Sequence, residues 1–390
     1  MVRDTDRRSL LALALYQLLA SNRSGLFSVY LVLFLVGRGA SVPQALAIFS
    51  AAYVVASLTG PAAGRWSDRV GKRRPFLLFA EAASLPFFVV IPWIGSFWVA
   101  GLVFVVAETL LAVGSPALNA SVADITRRGE RGWGYGFLAA SGAMGTMVGI
   151  LIAGAVVGVF GLEALFYLVG VLMCGTIVLV VFLFQEGHIE PAPPRRPLRE
   201  MKDIAVFSVA ASVRTLGTGA VAAFYAYYAH VLGANDFEVS LVAFAGFATS
   251  AAVSLPLGRR VDRIGEIRGL LYGTAIAAAG LLLFLIAGTW PELVPARVVY
   301  QVGFALMSPA MLSWVVRQAP SGRRAEYLGF FSLINSTMWS CGPFLGGVVF
   351  SATDAPGVFT FAIVMTCVSL ALLYGLYGRT LPERAAAAPG

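Results

Sequence analysis

The sequence predicts an all-α integral membrane protein of twelve transmembrane helices in two pseudo-symmetric six-helix bundles. Three observations predict it. Of the 390 residues, 58% are hydrophobic and only 12% charged, against about 25% charged in an ordinary soluble domain, and the mean hydropathy is +0.81. Apolar runs of roughly 20 residues, the length that crosses a hydrocarbon core of about 30 Å, recur twelve times. Finally, residues 64–71 read GRWSDRVG and residues 258–265 read GRRVDRIG, 194 positions later, each in a short basic turn between two apolar runs. A repeat of that kind makes one half of the chain a copy of the other.

The first six spans fall near residues 9–36, 43–65, 75–95, 98–123, 132–158 and 164–184. Alternation at period two is absent, which leaves helices as the structure that satisfies its own backbone in lipid. The first run has a basic start but continues far past a signal-peptide core and has no small-residue cleavage site, so it is expected to be retained as a span. Residues 185–203, QEGHIEPAPPRRPLREMKD, carry four prolines and four basic residues. They read as a polar linker long enough to let the halves move separately. Spans 7 to 12 follow near 204–231, 238–257, 269–288, 296–316, 325–350 and 356–377. The expected organisation is therefore an N-terminal bundle at 1–184, a linker at 185–203, a C-terminal bundle at 204–378 and a tail at 379–390.

The duplication runs through these elements. Residues 115–125 (SPALNASVADI) align with 308–318 (SPAMLSWVVRQ) at an offset of 193, which also pairs Gly149 with Gly342 and Gly154 with Gly347. A shorter match, ASNRS at 20–24 with ASVRT at 211–215, has an offset of 191.

Charge sets the expected topology. All but four of the 28 Lys and Arg fall in the first residues, the even-to-odd loops, the linker and the tail. Arg38 and Arg297 are read on the opposite side, and Arg23 and Arg214 inside spans. By the positive-inside rule both termini and the linker are cytoplasmic, in a multi-pass protein of the cytoplasmic (inner) membrane. The net charge of +8 then reports topology and gives no reason to expect nucleic acid as a partner. Cys174, Cys341 and Cys367 fall within spans and form neither a disulfide framework nor a metal spacing. No phosphate-binding loop and no nucleophile with its base is found, and His188 and His230 are poorly placed for catalysis. An enzyme, a metal site and a cofactor are not expected.

At residues 64–74, GRWSDRVGKRR resembles the loop 2–3 signature of the major facilitator superfamily, Gly-x3-Asp-Arg/Lys-x-Gly followed by basic residues, at every defined position. With twelve spans, a 6+6 duplication and a weaker copy in loop 8–9, the resemblance covers the whole chain. It implies two six-helix bundles around a central cavity lined by spans 1, 4, 7 and 10, with alternating access by rocking of the halves, in a chain that works as a monomer. It also implies a cytoplasmic gate of Gly64, Asp68, Arg69, Gly71, Lys72 and Asp124, with Gly258, Asp262 and Arg263 as the second copy. Arg73 and Arg74 read as positive-inside anchors. In the second copy Glu266 and Ile267 stand where the first has Lys72 and Arg73, so the lock is expected to be asymmetric. Proton-driven exporters of the family commonly carry Gly-Pro in span 5. Residues 145–154 read GTMVGILIAG here, with Ile150 in place of proline, while CGPFLGG at 341–347 has the proline in the symmetry-related span. Close packing is an equally good account of these glycines.

The main ionisable groups inside spans are Arg23, Arg214, Glu81 and Glu108. Arg23 is about 14 residues into span 1, roughly 21 Å at 1.5 Å per residue, too deep for comfortable snorkelling. A central arginine costs about 2.5 to 3.5 kcal/mol on insertion scales and should face a partner or a wet cavity. Tyr16, Arg23, Phe27 and Tyr30 share one stripe of span 1, and Arg214, Thr218, Tyr225 and Tyr228 one stripe of span 7. Arg23 and Arg214 are approximate symmetry mates, and a guanidinium fork suits carboxylate or phosphate. The arrangement is similar to the paired arginines of the superfamily's organophosphate:phosphate antiporters and related organic-anion transporters. Glu108 is midway through span 4, opposite Gln301 by symmetry, and an Arg23–Glu108 pair would leave Arg214 as the free cation and make Glu108 a proton or exchange switch. A purely structural pair is the competing account. Glu81, about six residues into span 3, is either a proton site or a partner near the gate. Asn22, Gln17, Ser332, Asn335 and Trp339 are further candidates for substrate contact.

Two functions stay open from the sequence. One is secondary transport of a small carboxylate- or phosphate-bearing anion through Arg23, Arg214, Tyr30, Tyr225, Tyr228, Gln301 and Asn335, with Glu108 and Glu81 as proton-coupling groups. The other is a proton-driven efflux antiporter for drugs, sugars or other small solutes.

Overall fold

A computed structural model describes residues 4–125, 131–184, 202–319 and 324–378. The side chains of Asp68, Asp124 and Asp262, and Gly258 beyond its helical backbone, lie outside the described residues. So does nearly all of the linker.

Among the described residues every regular element is helical. The first half holds α1 (Asp4–Gly37), α2 (Val42–Val70), α3 (Arg74–Val90), α4 (Phe97–Leu111), α5 (Gly114–Ile125), α6 (Arg131–Phe160) and α7 (Ala164–Phe182). The second holds α8 (Lys202–Val231), α9 (Asp236–Ile264), α10 (Glu266–Ile286), α11 (Leu293–Gln318) and α12 (Arg324–Tyr377). Ten stretches of these are long and apolar enough to cross a membrane, and the bent pair Ser9–Phe27 and Tyr30–Gly37 makes an eleventh. The longest, Tyr327–Tyr377, contains two: Asp354 interrupts α12 with φ 62° and ψ −166°, separating spans 11 and 12. That makes twelve.

Local chemistry sets the boundaries. Ser41 and Gln44 form a reciprocal capping box at the start of α2, satisfying amides the helix itself leaves free. Span 4 is split into α4 and α5 at 112–113. Pro116 has no N–H to offer the Ala112 carbonyl one turn back, and its ring crowds that carbonyl. The last glycine of each signature copy ends a helix in a positive-φ conformation, Gly71 at 66° and Gly265 at 88°, where a side chain would be strained. The Gly71 amide closes the turn on the Ser67 carbonyl at 3.0 Å.

The chain divides into two compact units, one of residues 1–195 with 235–240, the other of residues 196–234 with 241–390. In the first, Phe27 stacks on Phe88 with ring centroids 5.3 Å apart and meets Phe104 and Phe166 at 5.6 and 5.1 Å. A Cβ on Gly145 would stand 2.1 Å from the Leu18 carbonyl oxygen, and one on Gly149 2.3 Å from that of Asn22, so α6 lies directly on the α1 backbone. The second unit repeats this contact. Gly342 of α12 faces the Leu216 carbonyl and Gly219 of α8 faces that of Trp339, at 2.4 and 2.2 Å on the same measure. The glycines of spans 5 and 11 therefore have a packing role in both halves.

Candidate functional site

Each unit encloses a cavity, and helical periodicity builds both. In the first unit a cavity of about 220 Å³ is lined by Tyr16, Gln17, Arg23, Glu108 and Ser115 among others, from α1, α4 and α5. Arg23 donates through Nη1 to the Glu81 carboxylate at 2.8 Å, and the Tyr16 hydroxyl donates to its other oxygen at 2.8 Å. Tyr16 and Arg23 are seven residues, two turns, apart on α1, so both reach the same carboxylate on α3.

The expected Arg23–Glu108 pair is thus corrected: Arg23 belongs to Glu81. Glu81 is fully buried and Arg23 is 4% exposed, a geometry in which leaving either charge alone is costly. Glu108 is half-buried on the cavity wall, and its carboxylate makes no hydrogen bond or ion pair with any described residue. The aromatic stripe of span 1 is dispersed. Phe27 is in the aromatic core, and Tyr30, fully buried, donates to the Asp236 carbonyl and shares a 2.7 Å hydrogen bond with the Ser240 hydroxyl. Gln17 donates to Ser21 at 2.9 Å, while the Asn22 side-chain oxygen is buried with no partner.

The second unit holds a larger cavity of about 410 Å³, within the size range of small-molecule sites. Its wall is assembled from helical faces. Arg214, Thr215 and Thr218 come from α8; Arg297, Tyr300, Gln301 and Phe304 from α11 at i, i+3, i+4 and i+7; Asn335, Ser336 and Trp339 from α12. Phe247, Leu281 and Phe284 close it. Arg214 is 3% exposed, its Nη2 rests 3.6 Å from the Met311 sulfur, and its buried Nε has no partner. Among the described residues no carboxylate lines the cavity. Of the expected binding residues, Arg214, Gln301 and Asn335 meet here. Tyr225 instead is buried behind the wall with its ring 5.3 Å from the Arg297 guanidinium carbon, and Tyr228 donates to the Ala287 carbonyl at 3.2 Å.

Arg297 is a correction too. Counted from the sequence only as a cation on the non-cytoplasmic side, it lies in the second turn of α11 and lines the cavity. The stripe it forms with Tyr300, Gln301 and Phe304 was the available signal, masked because a basic residue near a span end usually serves as an anchor.

At the signature turns, Arg69, Lys72 and Arg263 are exposed, and Gly64 lets α2 approach Pro116 of α5, where an added Cβ would stand at 3.2 Å. Arg73, expected as an anchor, is 6% exposed and donates to the Ser67 hydroxyl at 2.9 Å, while that hydroxyl donates to the Lys72 carbonyl at 3.0 Å. In the second copy Glu266 pairs with Arg317 of α11 at 2.6 Å.

Comparison with known proteins adds a family. The profile of the Major Facilitator Superfamily matches residues 13–212 and again 207–390. The multidrug resistance protein 1 of Bacillus subtilis is 23% identical over 353 residues, covering 86% of each chain. The methylenomycin A resistance protein of Streptomyces coelicolor is 31% identical over 127 residues, 32% of this chain and 27% of that relative, so the match spans little more than a quarter of its length. Among solved structures, a bacterial homologue of the human lysosomal transporter Spinster, inward-facing and unoccupied, superposes with a TM-score of 0.81 at 15% identity, covering 98% of this chain and 99% of that one.

Proposed function

The chain belongs to the major facilitator superfamily, and from that premise we propose that it moves a small organic anion across the cytoplasmic membrane by alternating access, with both termini cytoplasmic. One observation carries the choice of anion. Arg214 is a buried guanidinium on the wall of a cavity that, among the described residues, contains no carboxylate and offers its Nε no partner. A buried cation of that kind is stabilised when a ligand supplies the missing negative charge. Thr215, Thr218, Gln301 and Asn335 add neutral hydrogen-bonding groups around it. Glu108, on the cavity wall of the other unit and without an ion pair among the described residues, is the group suited to exchange a proton during the cycle, whereas Glu81 serves Arg23.

Uptake of radiolabelled carboxylates and organophosphates into proteoliposomes tests this reading. Arg214→Gln is expected to abolish uptake of whichever anion the wild type carries. Undiminished transport by a folded R214Q protein would sink the proposal.

The names of the relatives favour a second reading, proton-driven efflux of drugs. Resistance conferred in cells by the wild type and lost with Glu108→Gln, without any effect of R214Q, would select it.

A further inference from the structure

We propose that the cavity of the second unit is built for a dianion, with Arg297 as the second cation; this rests on the anion reading above and specifies it. Arg297 is held from three helices. The Tyr225 ring of α8 and the Tyr300 ring of α11 lie 5.3 and 5.9 Å from its guanidinium carbon, and Gly246 of α9 leaves the room it occupies, since a Cβ there would stand 2.6 Å from Nε. The rings stabilise the charge by their quadrupoles but accept no N–H bond in the guanidinium plane. The buried Nε of Arg297 has no hydrogen-bond partner.

Two guanidinium groups thus line one cavity, neither paired with an acid among the described residues. A monoanion seated on Arg214 leaves Arg297 uncompensated; a ligand with two negative charges answers both. The remaining wall sets the shape of that ligand. Phe247, Phe284, Phe304, Tyr300 and Trp339 offer flat apolar surface between the polar groups, which fits a rigid ring or chain carrying two carboxylates, or a carboxylate and a phosphate, and disfavours a compact inorganic anion. A charge-assisted hydrogen bond stabilises more than a neutral one, and a buried donor left unpaired is penalised in proportion.

The experiment compares isophthalate with benzoate at pH 7.5, by isothermal titration of the purified full chain in detergent, for wild type, Arg297→Gln and Arg297→Lys. The expected wild-type result is at least about tenfold tighter binding of isophthalate, equivalent to about 1.4 kcal/mol. R297Q should bring the isophthalate-to-benzoate ratio toward one, and R297K, which keeps the charge but not the fork, should keep part of it. Equal binding of the two probes by the wild type overturns the dianion site and leaves the anion reading standing. A wild-type preference that R297Q retains in full also overturns the role of Arg297. Binding of neither probe, nor of phenylphosphonate as a third, removes the anion reading itself.

Discussion

The guanidinium of Arg23 and the carboxylate of Glu81 lie 2.8 Å apart, with side-chain exposures of 5% and 0%, and the Tyr16 hydroxyl completes the carboxylate's bonding. The first unit therefore neutralises its deep arginine within its own helices. Among the described residues the second unit gives Arg214 no carboxylate. Duplicated sequence has here produced opposite electrostatics, a closed ion pair in one half and an open cation in the other.

Breaking the closed pair is expected to be destructive. Glu81→Gln or Arg23→Gln leaves a buried charge alone, at a cost of about 3 to 5 kcal/mol. Arg23→Leu with Glu81→Leu removes both charges and is expected to recover most of that loss. Thermal melts in detergent, followed by tryptophan fluorescence, check the ordering of the three variants.

The ion pair of Glu266 with Arg317 gives the contrasting case. Its side chains are 19% and 40% exposed, so Glu266→Gln is expected to lower stability by about 1 kcal/mol or less. A melting shift as large as that of E81Q would contradict this.

Glycines that look alike in sequence are expected to differ in tolerance. Gly149→Ala forces a methyl against the Asn22 carbonyl and is expected to cost about 1 to 3 kcal/mol by overpacking. A Cβ on Gly158, about two and a half turns further along α6, meets nothing within 4 Å, and Gly158→Ala is expected to be neutral or slightly stabilising. The same melts distinguish them.

At Asp354, φ 62° with ψ −166° is a backbone conformation that glycine alone occupies without strain of about 1 to 3 kcal/mol. Asp354→Gly is therefore expected to raise the melting temperature, against the usual effect of adding glycine to a helical chain. A decrease would show that the Asp354 side chain contributes more than its backbone costs.

The fold was legible because its signals are collective. Twelve apolar runs, the 193-residue offset and the paired Gly71 and Gly265 each constrain many residues at once. Arg214 was legible as a deep charge inside a span, and Gln301 and Asn335 as polar residues on spans expected near the cavity. The partner of Arg23 was not. Glu81 and Glu108 are acids on neighbouring spans, the first fully buried and the second half-buried, and the choice depends on the rotation of α3 about its axis, which no single-helix pattern encodes. Arg297 was missed because depth decides its role. Placed one turn nearer the span end, the same residue would be a surface anchor. The break at 112–113 had its signal in Pro116, although the symmetry-related Pro309 sits inside an uninterrupted α11, so proline in the sequence alone does not say which copy breaks.

The backbone contact of α1 with α6, and of α8 with α12, has a mechanical consequence. Helices that touch through side chains can slide as those side chains change rotamer, but main chains in contact have no such layer to shear. Each of these pairs then resists sliding where its backbones meet. The interruption of span 4 at 112–113 is a different kind of joint, without such a backbone contact among the described residues, and Glu108 sits one turn before it.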